Sequence, residues 1–475
     1  MNGRAARRGA DPTRRRELLW VAFGFAVLLG LLLLGSFAVD RACGAPVASR
    51  SEQERQLDLD SFDHAWALVR DRHYDPALGG LDWQAVRDSL RPQVGQAASR
   101  RAARAVMAGM VSLLGQSHFR IIPGEVLKAL ARTPGEGAPG GTLGMDARVV
   151  GGRALVTAVE PGSPAHGLGV RPGWEIERVG GEELAPLIRT VAGERRGVSW
   201  KEADLASVVL GRIEGRIGDT LAVRFRDGRG AAVDLEFRLV EKPGWLCDVG
   251  MARNLRVRFE SRRLAGNVGY VALSAFLDPM HLMPAYEAAV RSFARADGIV
   301  VDLRGNEGGM IPLAMGMAGW LVSERDLYLG TLSFRGAQLR AVVNPRLEPY
   351  TGPVAVLVDG LTVSCAEAFA GGLQDIGRAR IFGTRSAGMV LNSEIERLPN
   401  GDALQFVTAS YRSAKGGLLE GRGVIPDVLA PPERGALLRG RDPALEAAVK
   451  WIHGLKQSRE ARADAAHAEP AAGRP

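Results

Sequence analysis

The stretch Gly352-Pro-Val-Ala-Val-Leu-Val-Asp-Gly-Leu-Thr-Val-Ser-Cys-Ala-Glu-Ala-Phe-Ala-Gly-Gly-Leu-Gln-Asp-Ile376 decides how the second half of the chain is read. A short apolar run bounded by Gly and Pro predicts a buried strand over 352–358, and the segment from Ala366 to Ile376 predicts a helix. Ser364 then falls at the helix N-terminus, where unpaired backbone N–H groups and the helix dipole favour an anion. Two readings follow. Ser364 caps the helix in a Ser-x-x-Glu box with Glu367, or it is a nucleophile whose neighbour Cys365 offers its amide to an oxyanion. The same alternation recurs upstream, with strands expected at Asn267–Leu273 and Gly298–Leu303, a helix at Met283–Arg295 and another after Gly308-Gly309. Residues 250–455 therefore read as one α/β layered domain.

Working outward, residues 138–242 change to short alternating strands, Ala154–Val159, Leu221–Phe225 and Val233–Phe237, separated by glycine-rich turns. Residues 58–125 read as amphipathic helices, with Phe62, Trp66, Val69, Trp83, Val86 and Leu90 at helical spacing. A linker covers 40–57. Before it, Leu18 to Val39 carries no charge, and a helix of that length spans about the ~30 Å hydrocarbon layer. Arg14, Arg15 and Arg16 close the basic segment 1–17, so the positive-inside rule keeps that end in the cytoplasm and sends the rest across the cell membrane. The expectation is a single-pass anchor with everything after it periplasmic or extracellular. The Ala-, Arg- and Glu-rich stretch 456–475 has no sustained apolar face and reads as a flexible tail.

The chain has 475 residues, 46% hydrophobic and 24% charged, which suits a folded protein of several domains. Its formal charge of +8 is concentrated at the N-terminus, and elsewhere acids and bases are interspersed, so no nucleic-acid footprint is present. Cys43, Cys247 and Cys365 lie far apart with no paired spacing, so neither a zinc ribbon nor a disulfide framework is indicated, and a single bridge stays open. No His/Glu or Cys/His spacing points to a metal, and no motif calls for a cofactor.

Five segments in order carry a resemblance: Asp302-Leu-Arg-Gly-Asn-Glu-Gly-Gly309, Thr362-Val-Ser-Cys-Ala-Glu367, Gly372-Leu-Gln-Asp375-Ile-Gly-Arg378, Gly383-Thr-Arg-Ser-Ala-Gly388 and Glu420-Gly-Arg-Gly-Val-Ile-Pro-Asp427. Together they resemble the catalytic domain of the tricorn and C-terminal processing protease family of serine peptidases. The resemblance implies a crotonase-like layered α/β catalytic domain, Ser364 as nucleophile, and an oxyanion hole from the amides of Cys365 and of Gly308 or Gly309. The turn Glu160-Pro-Gly-Ser-Pro-Ala165 followed by Val170-Arg-Pro-Gly-Trp174 resembles a PDZ domain, although Trp174 stands where an Asp is usual. That likeness makes Leu143, Gly144 and Met145 the loop whose amides receive a peptide C-terminus. The segment Ala185 to Arg212 is an insertion relative to a compact PDZ domain.

The processing-protease branch activates its serine with a lysine that would fall on position 389, and this chain has Met389 there, with no lysine between Lys242 and Lys415. The tricorn-like branch implies another base: His118 in Leu113-Leu-Gly-Gln-Ser117-His118-Phe119, with Ser117 orienting it and Glu420 at the far end of the relay. His64, His73, His166 and His281 compete for the role of base, and Cys365 competes as nucleophile because a thiol at a helix N-terminus can be acidified. The expected activity is that of a membrane-tethered endopeptidase acting on exported peptides or unfolded proteins, with the alternative of a catalytically silent PDZ-containing binding protein. Physiological substrate and oligomeric state are left open by the sequence.

Overall fold

The computed structural model describes residues 50–468. The expected anchor at 18–39 lies outside the described residues, and no described helix is long and apolar enough to cross a membrane. Cys247 and Cys365 are free thiols.

The described residues open with three α-helices, α1 (Glu52–Arg72), α2 (Trp83–Gln96) and α3 (Arg100–Ser112), whose starts are capped by Ser51, Asp82 and Ser99. Phe62, Trp66, Val69, Trp83, Met107 and Met110 meet in their shared core. That core also takes in Leu398, Leu404 and Phe406, far away in sequence. The short strand β1 (Arg120–Ile122) explains why: it pairs antiparallel with a strand near residue 404, opposing Arg120 to Gln405 and Ile122 to Ala403. The helical region is thus fused to the α/β domain and carries His118 into it.

A β-rich unit follows, with sheet order β2 (Met145–Val150), β3 (Arg153–Val159), β4 (Glu175–Val179), β5 (Thr220–Arg226) and β6 (Ala232–Arg238). Two helices, α4 (Leu184–Glu194) and α5 (Lys201–Ile213), fill the segment read as an insertion. It is no appendage: Leu184, Ile188, Leu205, Val209 and Ile213 recur at helical spacing and bury in the same core as Val156, Val223 and Phe225.

The last unit holds a six-stranded sheet in the order β7 (Phe259–Leu264), β8 (Val268–Leu273), β9 (Gly298–Asp302), β10 (Val354–Val358), β11 (Ala379–Gly383) and β12 (Val428–Leu429). Only β7 runs antiparallel to its neighbour. Both β9 and β10 are buried along their whole length, as parallel strands covered on both faces must be. Alternate side chains choose opposite faces: Ile299, Val301, Val354, Val356 and Val358 meet Phe369 and Leu373 of helix α6 (Cys365–Asp375), whereas Val300, Ala355 and Leu357 meet Ala444, Ala448 and Ile452 of helix α7 (Pro443–Ala468). Helix α7 continues to Ala468, so residues 456–468 of the stretch read as a flexible tail are helical. Its Ala, Arg and Glu residues are strong helix formers, and Lys456 pairs with Asp297 at 3.0 Å.

Candidate active site

Strand β10 ends at Val358, and the turn that follows delivers Ser364 to the first turn of α6 with φ 59 and ψ −126. A non-glycine residue there carries strain of about 1–3 kcal/mol and persists only where its surroundings over-determine it. They do. The Ser364 N–H donates to the Met389 carbonyl at 2.8 Å and to Glu367 Oε2 at 3.2 Å. Val363 N–H donates to Asn306 O at 2.9 Å, and Thr362 Oγ1 donates to Leu303 O at 2.8 Å. Ser364 itself is 3% exposed.

Glu367, which the sequence reading reduced to a helix cap, is a buried acid that ties two loops together. Its carboxylate is fully buried and accepts Ser386 Oγ–H at 2.5 Å, Gly388 N–H at 2.8 Å and Met389 N–H at 2.9 Å besides the Ser364 amide. It staples the Ser364 turn to the 386–389 loop. Burial pushes its carboxyl up to about 7 against the pull of these donors. The available signal was the Ser386-Ala-Gly388 loop, which presents one hydroxyl and two amides to a single acid.

Gly308 (φ 90) lies against Ser364 so closely that a Cβ there would sit 2.6 Å from Ser364 Cβ. Its N–H donates to Asn306 Oδ1 at 2.9 Å, so in this structure the amide of Gly308 is engaged, leaving Gly309 as the other candidate donor. Cys365 contributes its amide as the first residue of α6. Its thiol is buried, and burial pushes it well above the ordinary range, so it stays protonated and non-nucleophilic.

His118 enters from the helical region in a left-handed conformation (φ 63), 3% exposed. Its Nδ1 lies 2.7 Å from Ser117 Oγ, and the Ser117 hydroxyl is 3.0 Å from Glu420 Oε2. Glu420 also accepts Ser117 N–H at 3.0 Å and Val390 N–H at 2.8 Å. An ionised carboxylate only accepts, so the single Ser117 proton goes to Glu420 and Ser117 Oγ accepts from Nδ1–H. The tautomer is thereby fixed, and Nε2 is left as a bare lone pair. That Nε2 is buried without a hydrogen-bond partner, so the link to Ser364 is not closed in this structure. Such links often tighten only with substrate bound. Burial, with the nearby Arg120 guanidinium, drives the imidazole down to about 3, which keeps it neutral.

The competing histidines are elsewhere. His64, His166 and His281 are exposed, and His281 is bound to Asp278 at 2.6 Å. His73 is buried but spends its ring nitrogens on Gln116 and on Asp75. Met389 packs with Val363 and Ala387 against Trp200, an apolar cluster with no base in it. Its backbone, however, braces Ser364, directly through its carbonyl and by way of Glu367 through its amide.

In the β-rich unit, Leu143 and Met145 are buried, and Gly144 N–H donates to Thr142 Oγ1 at 3.0 Å. The Gly144 carbonyl accepts Ser163 Oγ–H at 3.1 Å, and a Cβ on Gly144 would lie 2.1 Å from Ser163 Cβ. The loop is therefore packed onto the Ser163 turn, and the Gly144 amide is engaged within the chain.

Residues 267–430 match peptidase family S41, and residues 58–112 match the tricorn protease C1 domain. The chain is 25% identical over 427 residues to the carboxyl-terminal-processing peptidase 3, chloroplastic, of Arabidopsis thaliana, covering 88% of this chain and 78% of that protein. It is 25% identical over 419 residues to the carboxyl-terminal-processing protease of Synechocystis, covering 87% and 88%. The photosystem II D1 C-terminal processing protease shares the fold with a TM-score of 0.52 at 21% identity, over 83% of this chain and 99% of that one. Mature CPAF complexed with lactacystin does so with a TM-score of 0.58 at 14% identity, over 86% and 99%.

Proposed function

We propose that this chain, a serine-type peptidase belonging to peptidase family S41, cuts peptide bonds with Ser364 as nucleophile, His118 as general base and Glu420, acting through Ser117, as the group that orients the base. The observation that carries this reading is the Glu420–Ser117–His118 chain of hydrogen bonds, which ends on an unpartnered, buried Nε2 lone pair. Ser364 Oγ attacks the scissile carbonyl while its proton passes to His118 Nε2. The oxyanion is received by the amide of Cys365 at the positive end of α6 and by that of Gly309, the Gly308 amide being spent on Asn306 Oδ1. The imidazolium then gives its proton to the leaving amine, and a water repeats the sequence to release the acyl group.

Glu420 and Ser117 stabilise the imidazolium as it forms. With Met389 at the position of the lysine base and apolar neighbours around it, the relay is the route for the proton. The substrate is an extended peptide or unfolded protein; the names of the relatives describe carboxyl-terminal processing by those proteins. The β-rich unit is read as PDZ-like, with strand β2 at the open end of its sheet and α5 lying along it, a geometry suited to strand addition. Leu18 to Val39 is read as the anchor that places all of this outside the cytoplasm.

A fluorophosphonate tests the site directly: it should label the wild-type chain at Ser364, fail on Ser364→Ala, and react far more slowly with His118→Ala. Labelling of His118→Ala at the wild-type rate would remove His118 as the base. A reporter that works only in the cytoplasm, fused after Pro475 and found active, would refute the topology.

A further inference from the structure

We propose that His73, at the end of α1, is a positioning residue for the general base. It holds both residues that flank the Ser117–His118 pair. This inference rests on the assignment of His118 as the base.

His118 has φ 63, a conformation that a non-glycine residue keeps only when its neighbours fix it from several sides. Glu420 fixes Ser117 from one side. The other side is His73, which is fully buried. Its Nε2 lies 2.9 Å from Gln116 Oε1, an atom that only accepts, so Nε2 carries a proton and donates to the residue just before Ser117. The same ring stacks on Phe119, the residue just after His118, with ring centroids 6.0 Å apart and planes 22° from parallel. Gln116 then uses its amide N–H on Tyr74 OH at 3.3 Å. One imidazole therefore grips the turn at both of its ends.

The imidazole is itself immobile. His73 Nδ1 lies 3.1 Å from the Asp75 N–H and 2.9 Å from the Asp75 carbonyl, so both ring nitrogens are occupied. The His73 carbonyl accepts Arg335 Nε–H at 3.0 Å, and Arg335 Nη2 donates to Arg70 O at 2.8 Å. Arg335 sits in the turn of a hairpin of the same sheet that β1 joins. His73 is thus referenced to the sheet carrying the base. An apolar residue of similar size would keep the stack on Phe119 but would leave Gln116, and the entry to the strained turn, without its clamp.

The test uses the whole chain with His73→Phe, which preserves the stack, with Gln116→Met, which removes the acceptor at a partly exposed position, and with both together. Each single variant should lower kcat by about tenfold to a hundredfold with KM unchanged, because displacing a catalytic group by a fraction of its reach costs rate and not binding. The double variant should be no slower than the slower single, since both break one link. Fluorophosphonate labelling counts the folded sites, so kcat is taken per labelled serine.

Wild-type kcat per site in His73→Phe, with only the melting temperature lowered, overturns the inference. So does a double variant in which the two losses multiply. If His73→Phe does not fold, Gln116→Met decides alone, and a wild-type kcat there overturns the inference as well. Ser364→Ala and His118→Ala run in parallel. If either turns over at the wild-type rate, the assignment of the site has failed; if both are dead while His73→Phe and Gln116→Met are normal, only the role of His73 has failed.

Discussion

Replacing Ser117 by Ala deletes one oxygen and cuts the relay at its middle. Glu420 keeps the amides of Ser117 and Val390, at 3.0 and 2.8 Å, and so remains a held carboxylate. His118 loses the acceptor of its Nδ1–H at 2.7 Å. With Nε2 already unpartnered, neither ring nitrogen then has a bond, and nothing selects the tautomer with a free Nε2 lone pair. In the ground state an orphaned buried N–H costs about 1–3 kcal/mol, which is a loss of stability. In the transition state the ring becomes an imidazolium, and a hydrogen bond to a charged group is worth about 1.5–3 kcal/mol. At 1.36 kcal/mol per decade, kcat should fall by about ten- to a hundredfold. Ser364→Ala should cost on the order of a thousandfold or more, because it removes the nucleophile itself. Steady-state hydrolysis of a fluorogenic peptide, with sites counted by fluorophosphonate, measures both. Turnover of Ser117→Ala within error of wild type would refute the relay, and so would a loss as deep as that of Ser364→Ala, since Ser117 would then be doing more than orienting the base.

Gly308→Ala should abolish turnover and labelling together, because its Cβ would lie 2.6 Å from Ser364 Cβ at a φ of 90; wild-type labelling would show that the loop can retreat at no cost. Met389→Lys should lower the melting temperature, since it puts an ammonium among Val363, Ala387 and Trp200, and should not restore His118→Ala; recovered hydrolysis in that double variant would reveal a latent lysine dyad. As pH falls through the imidazole's ordinary ~6.5, kcat/KM should hold, because the folded value is driven down to about 3; an acid limb centred near the ordinary value would mean that His118 is not buried in the working enzyme. The same depression has a sign for stability. The neutral His118 contributes in full above the unfolded value and its contribution is lost as pH falls toward about 3, so the melting temperature should drop over that window.

The parallel sheet was legible because strands covered on both faces read as unbroken apolar runs, and 298–303 and 352–358 are of that kind. The candidate site was named by motif resemblance alone, and the structure brings three of its residues, Ser117, His118 and Glu420, together from positions about three hundred residues apart in sequence. Three features were not legible. The helix at 201–213 was read as part of an insertion, because its apolar positions 205, 209 and 213 have no visible partner until the sheet is folded. The fusion of the helical region to the α/β domain depends on β1, three residues long and too short for any periodic signal. The role of Glu367 was hidden because a Ser-x-x-Glu capping box and a buried acid that staples two loops have the same local sequence.

That fusion bears on the chemistry. Ser364 and His118 both occupy positive-φ conformations, and each carries about 1–3 kcal/mol of strain that local sequence does not relieve. The two strained turns come from opposite ends of the chain and are held by different acids, Glu367 beneath the serine and Glu420 beside Ser117. The two acids meet in one loop: Glu367 accepts the amide of Met389 and Glu420 accepts the amide of Val390. A shift of the 388–390 backbone therefore moves Ser364 and the Ser117–His118 pair together. The position that carries a lysine base in the processing-protease branch serves here as the hinge point between two carboxylates, with its side chain turned into an apolar cluster and its peptide groups facing the site. Changes of side chain at 389 should accordingly be tolerated far better than changes that tilt its peptide planes. Met389→Leu should turn over near the wild-type rate, whereas Val390→Pro, which removes the amide bound to Glu420, should disable the base and leave the fold of the β-rich unit untouched. Limited proteolysis of the two variants, read beside their hydrolysis rates, separates these outcomes, and full activity in Val390→Pro would refute the coupling through this loop.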